Sequence, residues 1–370
     1  MKFSCYKNDL TEALQFLIRA VAVKPMTPIL AGIYIKAEGS TLELQANNYS
    51  TGIISRIPAS VENPGELVVS GKRFQEFMRG IPGETITFSD DENAPNILMI
   101  KAGGASLELM TMAADEFPKV KKEQAICSFS VDTQVMRDLI RKTIFAVAKE
   151  ETRPVFTGCA FEIKDEEISV VATNAHRLAL AKGKLISSSD DCKFIVPSDT
   201  LRGLLQRLEQ RSVDKSINVD YSTRYLTFMF DNVIVNSRLI EGEFPPYDRV
   251  IPSYSETKVY INREEFKNTV EFIALMSKET EYNTVKFLFS NDKVEISSNS
   301  VEGESVVKSI NASIEGPDVE ISFNVSYILD VLRVIDSFKV VVALNDQFSP
   351  AAFSDPDEKD YIYVATPVRT

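Results

Sequence analysis

Apolar residues recur at helical spacing near the start of each third of the chain, and each recurrence follows a short alternating run typical of a strand. The equivalent leading positions of this first helical pattern are Leu10, Met136 and Phe266. A second helical pattern lies further along each third, and its equivalent positions, spaced by 127 residues, are Phe74, Leu201 and Ile328. Two patterns that repeat at nearly one period predict three homologous domains.

Between these helical patterns, apolar and polar residues alternate in short runs that predict strands. Three such runs follow each helix, and in the first two thirds the leading runs cover residues 29–36 and 156–164. Each third is therefore predicted to be a βαβββ unit written twice. The expected fold class is α+β, with two helices against antiparallel sheets in each of three tandem domains.

The joins between the thirds contain proline and many charges, at residues 114–126 and 241–257. Even these connectors repeat, because Glu-Phe-Pro at 116–118 returns at 243–245. We place the domains at residues 1–121, 127–252 and 258–370.

Composition narrows the classes of function. The 370 residues are 44% hydrophobic and 25% charged, and 41 Lys and Arg against 53 Asp and Glu give a net charge of −12. So acidic a surface repels nucleic acid and anionic lipid unless the positive charge is segregated on one face. No apolar run is long enough to span a membrane. The four cysteines lack CxxC spacing, which favours reduced thiols in a cytoplasmic protein.

Catalytic and cofactor chemistry has little support. His176 is the one histidine, and neither a GxGxxG nor a GxxxxGK[ST] motif is present. We therefore predict no metal, no cofactor and no catalytic residues. A hydrolase that uses His176 with Asp and Glu remains an alternative, but it needs carboxylates to converge on this side chain, and no motif supplies them.

Several local motifs, taken with the triplication, resemble those of the bacterial sliding clamps, the beta subunits of DNA polymerase III. These motifs lie at residues 28–30, 172–178, 244–250, 323–332 and 366–369. The resemblance covers all three domains. It implies a head-to-tail homodimer, a ring with helices inside and sheets outside, that encircles double-stranded DNA as a processivity factor without sequence preference.

The resemblance also implies a pocket that binds partner peptides between the second and third domains. The partners implied are the replicative polymerase alpha subunit, the clamp loader, translesion polymerases, mismatch repair proteins and ligase. The positions that carry over to the pocket are Phe156, Thr173, Ala175, His176, Arg177, Leu178, Pro245, Arg249, Val250, Val364, Thr366, Pro367, Val368 and Arg369.

Some pocket positions depart from the family pattern. Asn174 and Ala175 replace the common Asp and Gly, and Thr366 and Val368 replace two methionines of the tail, which ends at Thr370. Because methionine adapts its shape to a ligand, its loss at two positions bears on the peptide preference. A clamp-like paralogue that acts as a scaffold or a drug-resistant spare copy is therefore an alternative function.

The charge pattern of the helices supports a contact with DNA. In the first two domains nine Lys and Arg face four Asp and Glu on predicted helices, in a chain of net charge −12. Segregation of this sign suits a phosphate backbone, although exposed helix faces carry cations in many proteins. The DNA-binding candidates are Lys24, Lys72, Arg73, Arg137, Arg141, Arg202 and Arg207. For the dimer, we expect residues 74–81 to meet the region around 298–307.

Overall fold

The structure is a computed structural model, and it describes residues 1–91, 94–150, 152–209, 214–277, 283–299 and 305–369. Each third contains the predicted βαβββ unit twice, with one additional short strand in the first third and one in the second. The predicted fold class is confirmed. Thr370 of the tail, and residues 300–304 of the expected dimer contact, lie outside the described residues.

The elements of the first third are β1 (Lys2–Tyr6), α1 (Lys7–Leu17), β2 (Gly32–Glu38), β3 (Thr41–Asn47), β4 (Thr51–Pro58), β5 (Ser60–Asn63), β6 (Gly65–Ser70), α2 (Gly71–Gly80), β7 (Thr85–Asp91), β8 (Ala94–Ala102) and β9 (Ala105–Met112). Those of the second third are β10 (Cys127–Asp132), α3 (Thr133–Thr143), β11 (Gly158–Lys164), β12 (Glu167–Thr173), β13 (Arg177–Lys184), β14 (Ser187–Ser188), β15 (Cys192–Pro197), α4 (Ser198–Leu208), β16 (Ser216–Tyr221), β17 (Tyr225–Phe230) and β18 (Val233–Arg238). Those of the last third are β19 (Thr257–Asn262), α5 (Arg263–Ser277), β20 (Thr284–Ser290), β21 (Lys293–Asn299), β22 (Ser305–Glu315), β23 (Val319–Asn324), α6 (Val325–Leu332), β24 (Lys339–Leu344), β25 (Ala351–Asp355) and β26 (Glu358–Ala365).

The apolar positions that define the repeat form the core of each domain. All six are at most 1% exposed: Leu10, Phe74, Met136, Leu201, Phe266 and Ile328. A helix with one apolar stripe is stabilised mainly by packing that stripe against a sheet. The spacing read from the sequence therefore marks the buried face of every helix.

Two predicted strands begin later than the alternation suggested. The runs at 29–36 and 156–164 start as 3-10 turns, Pro28–Ala31 and Pro154–Phe156, and the strands begin at Gly32 and Gly158. Proline fixes its own φ near −65° and lacks an N–H donor, so it suits the first position of a helical turn better than a strand. Phe156 consequently lies in a turn.

The strands pair by exchange between the two halves of each third. The first strand of each half joins the three strands of the other half, so that β1 extends β7–β9 and β6 extends β2–β4. The second third repeats this arrangement through β10 and β15, and the last third repeats it through β19 and β23. Both halves are needed to complete either sheet.

Antiparallel pairing also joins one third to the next. Strand β4 pairs with β18, and β13 pairs with β26. Within the described part of the chain, the strands consequently form one sheet of 14 and one of 12. Two compact units correspond to them: Met1–Gln134 with Ile186–Asp190 and Asp199–Leu239, and Val135–Leu185 with Asp191–Ser198 and Ile240–Thr370. The domain boundaries given above stay predictions.

Candidate functional site: an apolar cavity and its neighbouring cations

A tight turn between β12 and β13 fixes the central residues of the site. Asn174 Oδ1 accepts hydrogen bonds from the backbone N–H groups of His176 (3.0 Å) and Arg177 (3.1 Å). Thr173 Oγ1 donates to the carbonyl of Arg177 at 2.7 Å, and Ala175 has a φ of 73°. An asparagine that bonds its own following backbone in this way stabilises a turn locally. His176 is exposed in this turn, whereas Thr173 at the end of β12 and Arg177 at the start of β13 are buried.

The connector after β18 covers this turn with aromatic side chains. Phe244 packs edge-on against Phe156, with ring centroids 5.9 Å apart, and lies 6.5 Å from Tyr247. The Tyr247 hydroxyl donates to Glu162 Oε2 at 3.1 Å. Burial, and then the charge of Glu162, raises the pKa of Tyr247 well above its usual value, so this hydroxyl remains a donor throughout the physiological range. The aromatic cluster forms one wall of a cavity.

The cavity has a volume of about 130 Å³. Its lining residues are Phe156, Thr173, Ala175, His176, Arg177, Leu178, Phe244, Pro245, Pro246, Tyr247, Val250, Val364 and Thr366. An apolar cavity of this size accommodates a group about as large as a benzene ring. It therefore fits one apolar side chain of a ligand.

The structure brings most of the sequence-predicted pocket residues together around this cavity. The predicted residues that do not line it are Arg249, Pro367, Val368 and Arg369. Sequence reasoning missed Phe244, Pro246 and Tyr247 as wall residues, although the repeated Glu-Phe-Pro connector pointed to this segment.

Backbone hydrogen bonds hold the tail beside the cavity. The N–H and Oγ1 of Thr366 both donate to the carbonyl of His176 at 2.9 Å. Two residues later, the N–H of Val368 donates to the carbonyl of Ser322 in β23 at 2.8 Å. The tail thus continues strand pairing past the end of β26, and it ties the turn at His176 to β23.

Arg177 is buried, and its charge is compensated within the fold. One guanidinium nitrogen donates to Asp330 Oδ2 at 2.6 Å, and another donates to the carbonyl of Phe145. The guanidinium also lies over the ring of Tyr327, 4.6 Å from its centroid, and the Tyr327 hydroxyl accepts from Asn174 Nδ2 at 3.3 Å. Arg177 therefore anchors the turn against α6, because a buried cation needs such partners.

The predicted DNA-binding cations differ in their accessibility. Lys24, Lys72, Arg73 and Arg202 are exposed, and Arg137 is half-buried and lies 3.7 Å from Asp138.

The other two candidates have charge partners within the fold. Arg141 contacts Asp336 at 2.5 Å and Asp138 at 3.6 Å. Arg207 is 9% exposed and lies 3.3 Å from Asp231 and 3.6 Å from Glu12. A guanidinium held in this way is less available to a phosphate than an exposed one.

Two further properties of the described residues bear on the site. Within them, no helix is long and apolar enough to cross a membrane. Nor do His, Cys, Asp and Glu gather anywhere in the described part of the chain in groups of three suited to a metal ion.

Comparison with known proteins gives matches along the whole chain. Models of the DNA polymerase III beta subunit match at residues 1–121 (N-terminal domain), 130–246 (central domain) and 248–369 (C-terminal domain). A relative named "Beta sliding clamp" from Bacillus subtilis is 30% identical over 381 residues, with all of both chains covered. Another relative with this name, from Pseudomonas aeruginosa, is 28% identical with the same coverage.

Solved structures agree with these matches. The DNA polymerase sliding clamp of Bacillus subtilis superposes with a TM-score of 0.94 at 30% identity, over 100% of this chain and 99% of that one. A sliding clamp of Pseudomonas aeruginosa bound to griselimycin gives 0.93 at 27% identity, with both chains fully covered.

The triplicated fold, its sheets and these relatives define the class of protein as a DNA sliding clamp. The chain belongs to the DNA polymerase III beta subunit family. The comparisons do not favour the alternative of a clamp-like paralogue with another role.

Proposed function

We propose that the chain is a non-catalytic processivity factor of the bacterial cytoplasm. Two copies close into a head-to-tail ring around double-stranded DNA, and each copy tethers a partner enzyme through the cavity beside His176. The observation that carries this proposal is the rule by which the chain joins its sheets edge to edge.

The joining rule is the same at both internal junctions. The last strand of the first half of one third pairs with the last strand of the second half of the next third, as in β4 with β18 and β13 with β26. In the last third, β22 is the last strand of the first half, so the rule pairs it with the last strand of a second half. The strand of the first third in that position, equivalent to β18 and β26, is β9. Each of these two strands pairs along one edge with its hairpin neighbour. Among the described residues, the other edge is paired only at one end, where residues 111–112 of β9 meet β6 and residues 312–315 of β22 meet β19. Unpaired edges favour association, so we assign this contact to a second copy, and two such contacts close a ring.

Exposed apolar residues support this interface. Met110 on β9 is 71% exposed and Val307 on β22 is 56% exposed. The neighbouring elements contribute Phe77 on α2 and Phe272 and Leu275 on α5, all at least 43% exposed. Large apolar side chains grouped near a sheet edge are typical of an association surface.

The contact with DNA is proposed to be topological. A net charge of −12 opposes tight binding, and the exposed Lys24, Lys72, Arg73 and Arg202 provide only a modest attraction. Contacts with phosphates carry no sequence information and weaken steeply with salt. A closed ring needs them only to centre the duplex. Because the sequence has no phosphate-binding loop, we expect a clamp loader with ATPase activity to open the ring.

The apolar cavity is proposed to take a short peptide of a partner protein. Its volume suits one apolar anchor, while exposed His176 and the backbone of the tail offer polar contacts at the rim. The proposed partners are the replicative polymerase alpha subunit, the clamp loader, translesion polymerases, mismatch repair proteins and ligase. We propose that Arg249, Pro367, Val368 and Arg369 contact such a peptide outside the cavity.

Retention on circular DNA tests the proposal. After loading onto a nicked circle, the protein should remain through a high-salt wash and should leave when the circle is linearised. Leu275→Asp should prevent dimerisation and retention, because it places a charge in the proposed interface, whereas the matched change Phe348→Asp, at a residue 61% exposed elsewhere, should preserve both. Retention that survives linearisation would contradict the ring.

A further inference from the structure

A second cleft lies beside the apolar cavity, in the same compact unit. Its volume is about 360 Å³. Its lining residues are Ala160, Phe161, Glu162, Lys193, Phe194, Ile195, Gly242, Glu243 and Phe244. Phe244 also lines the apolar cavity, so the two depressions share a wall.

The floor of the cleft is apolar and well ordered by strand pairing. Successive side chains of a strand point to opposite faces, so the apolar pair on the face of Glu162 and Lys193 is Ala160 of β11 and Ile195 of β15, which are cross-strand partners and pack with Phe244. Both side chains are buried. Cross-strand pairs of this kind stabilise a sheet face, so the cleft has a preformed floor.

The rim of the cleft is acidic. Lys193 Nζ lies 3.1 Å from Glu162 Oε1, and this carboxylate also accepts from the Tyr247 hydroxyl. Glu243 is exposed on the connector, and no ion pair with it occurs in the part of the chain that the structure describes. The lining of the cleft therefore carries two carboxylates and one ammonium group, which leaves an excess of negative charge.

The two depressions are connected by one side chain as well as by a shared wall. Tyr247 lines the apolar cavity, and its hydroxyl bonds Glu162 of the cleft. A peptide anchored in the cavity consequently passes next to the acidic rim when it continues across Phe244.

We propose that this cleft extends the peptide site and binds the residues that flank the apolar anchor, with a preference for Lys or Arg. The inference rests on the proposed role of the cavity as a peptide site. Glu243 is the specificity-determining residue, since its carboxylate is exposed and faces a flanking cation without a competing ion pair.

Synthetic peptides test this proposal on the full-length protein. An anchor peptide that contains leucine and phenylalanine is compared with versions extended by Lys-Lys, Ser-Ser or Glu-Glu at either end, and Kd is measured by fluorescence anisotropy. At one end the Lys-Lys extension should improve affinity about threefold to fivefold over Ser-Ser, the range of an exposed ion pair. Glu243→Gln should abolish this difference and should leave the affinity of the unextended peptide unchanged.

Glu167→Gln is the matched control. Glu167 is also an exposed glutamate of this compact unit, but it pairs with Lys182 and lines neither depression. This change should leave the Lys-Lys preference intact. Equal affinities of Lys-Lys and Ser-Ser peptides at both ends, while the unextended peptide binds, would overturn the cleft proposal alone. Failure of every peptide to bind would overturn the proposed function of the cavity, and the cleft proposal with it.

Discussion

Tyr49 and Ala175 occupy the same place in two copies of one turn, 126 residues apart, and both have a positive φ, 69° and 73°. In each copy the preceding asparagine accepts hydrogen bonds from the N–H groups two and three residues later. The residue that follows each of these two is Ser50 or His176, and its carbonyl accepts a hydrogen bond from the next third of the chain. Ser50 accepts from the N–H of Arg238, and His176 accepts from the N–H of Thr366. The repeat therefore builds the same backbone junction twice.

Both junctions have a depression, and side chains decide how the two differ. The first is a cleft of about 660 Å³ with charged residues such as Glu66 and Lys119 in its lining, whereas the second is the apolar cavity of about 130 Å³. Gly52 stands where the second junction has Leu178, and a Cβ at this glycine would lie 2.7 Å from Val120 Cγ2 of the connector. Val120 is held there by its N–H, which donates to Gln45 Oε1 at 3.0 Å. Val120 thus occupies the space where a side chain at residue 52 would lie, whereas Tyr247, the counterpart of Val120, bonds Glu162.

The strained backbone at Ala175 predicts that Ala175→Gly stabilises the protein. A non-glycine residue in the left-handed region costs roughly 1–2 kcal/mol, and the greater freedom of glycine in the unfolded chain offsets part of it. We expect a net gain of about 0.5–1 kcal/mol in the free energy of unfolding, measured with chemical denaturant. Ala172→Gly, at a buried position in β12, should destabilise instead. A loss of stability in both variants would contradict strain at Ala175.

The contact between Gly52 and Val120 predicts that Gly52→Ala destabilises the protein by about 1–3 kcal/mol, because the new methyl group displaces the connector. Adding Val120→Ala should recover part of the loss in a double-mutant cycle. Gly80→Ala is the control, since a Cβ there meets nothing within 4 Å. Additive effects of the two changes would show that the close contact is not the cause.

Neutralising Asp330, the counter-ion of Arg177, should lower both the stability of the protein and its affinity for a peptide. Asp330→Asn leaves a buried guanidinium without its charge partner and should lower the free energy of unfolding by about 2–3 kcal/mol. Peptide affinity should fall as well, because the turn at the cavity loosens. Asp336→Asn removes the partner of the more exposed Arg141 and should cost under about 1 kcal/mol. Equal losses in the two variants would argue against an anchoring role for Arg177.

The neighbouring carboxylates of Asp214 and Asp231 predict that neutralising one of them raises the free energy of unfolding in a pH-dependent way. Burial, followed by the charge of Asp214, raises the pKa of Asp231. The stability that Asp231 contributes is therefore present at acidic pH and lost as pH rises through its folded pKa. Asp214→Asn removes the repulsion, so unfolding titrations should show a gain of up to about 0.5 kcal/mol at pH 7 that disappears near pH 3. A gain of the same size at both values would exclude this origin.

The different exposure of two arginines on α4 predicts that replacing each with alanine affects a different property of the protein. Arg202 is exposed, so Arg202→Ala should weaken binding to duplex DNA and reduce its salt dependence by about one counterion. Arg207 lies between Asp231 and Glu12, so Arg207→Ala should mainly lower the free energy of unfolding, by about 1–3 kcal/mol. Fluorescence anisotropy across a salt series and denaturant unfolding separate the two effects. A stability loss confined to Arg202→Ala would reverse this assignment.

The sequence by itself determined the three-fold repeat and the α+β class. Helical spacing around Leu10, Met136 and Phe266, and alternation in the strands, report which face of each element is buried, and this is a local property. The resemblance of residues 172–178 to known motifs also placed Thr173 and Leu178, because a turn held by its own asparagine needs no distant partner.

Only the tertiary structure decided how the strands pair and which polar groups find partners. The alternation in β1 and β6 is satisfied equally well whether each strand joins its own half or the other half. The sequence pattern therefore cannot distinguish these two arrangements. Arg202 and Arg207 look alike in the sequence, yet only one is surrounded by carboxylates from distant segments. The close contact of Val120 with Gly52 at one junction, and the apolar cavity beside Tyr247 at the other, likewise depend on contacts between residues far apart in the chain, which local periodicity does not record.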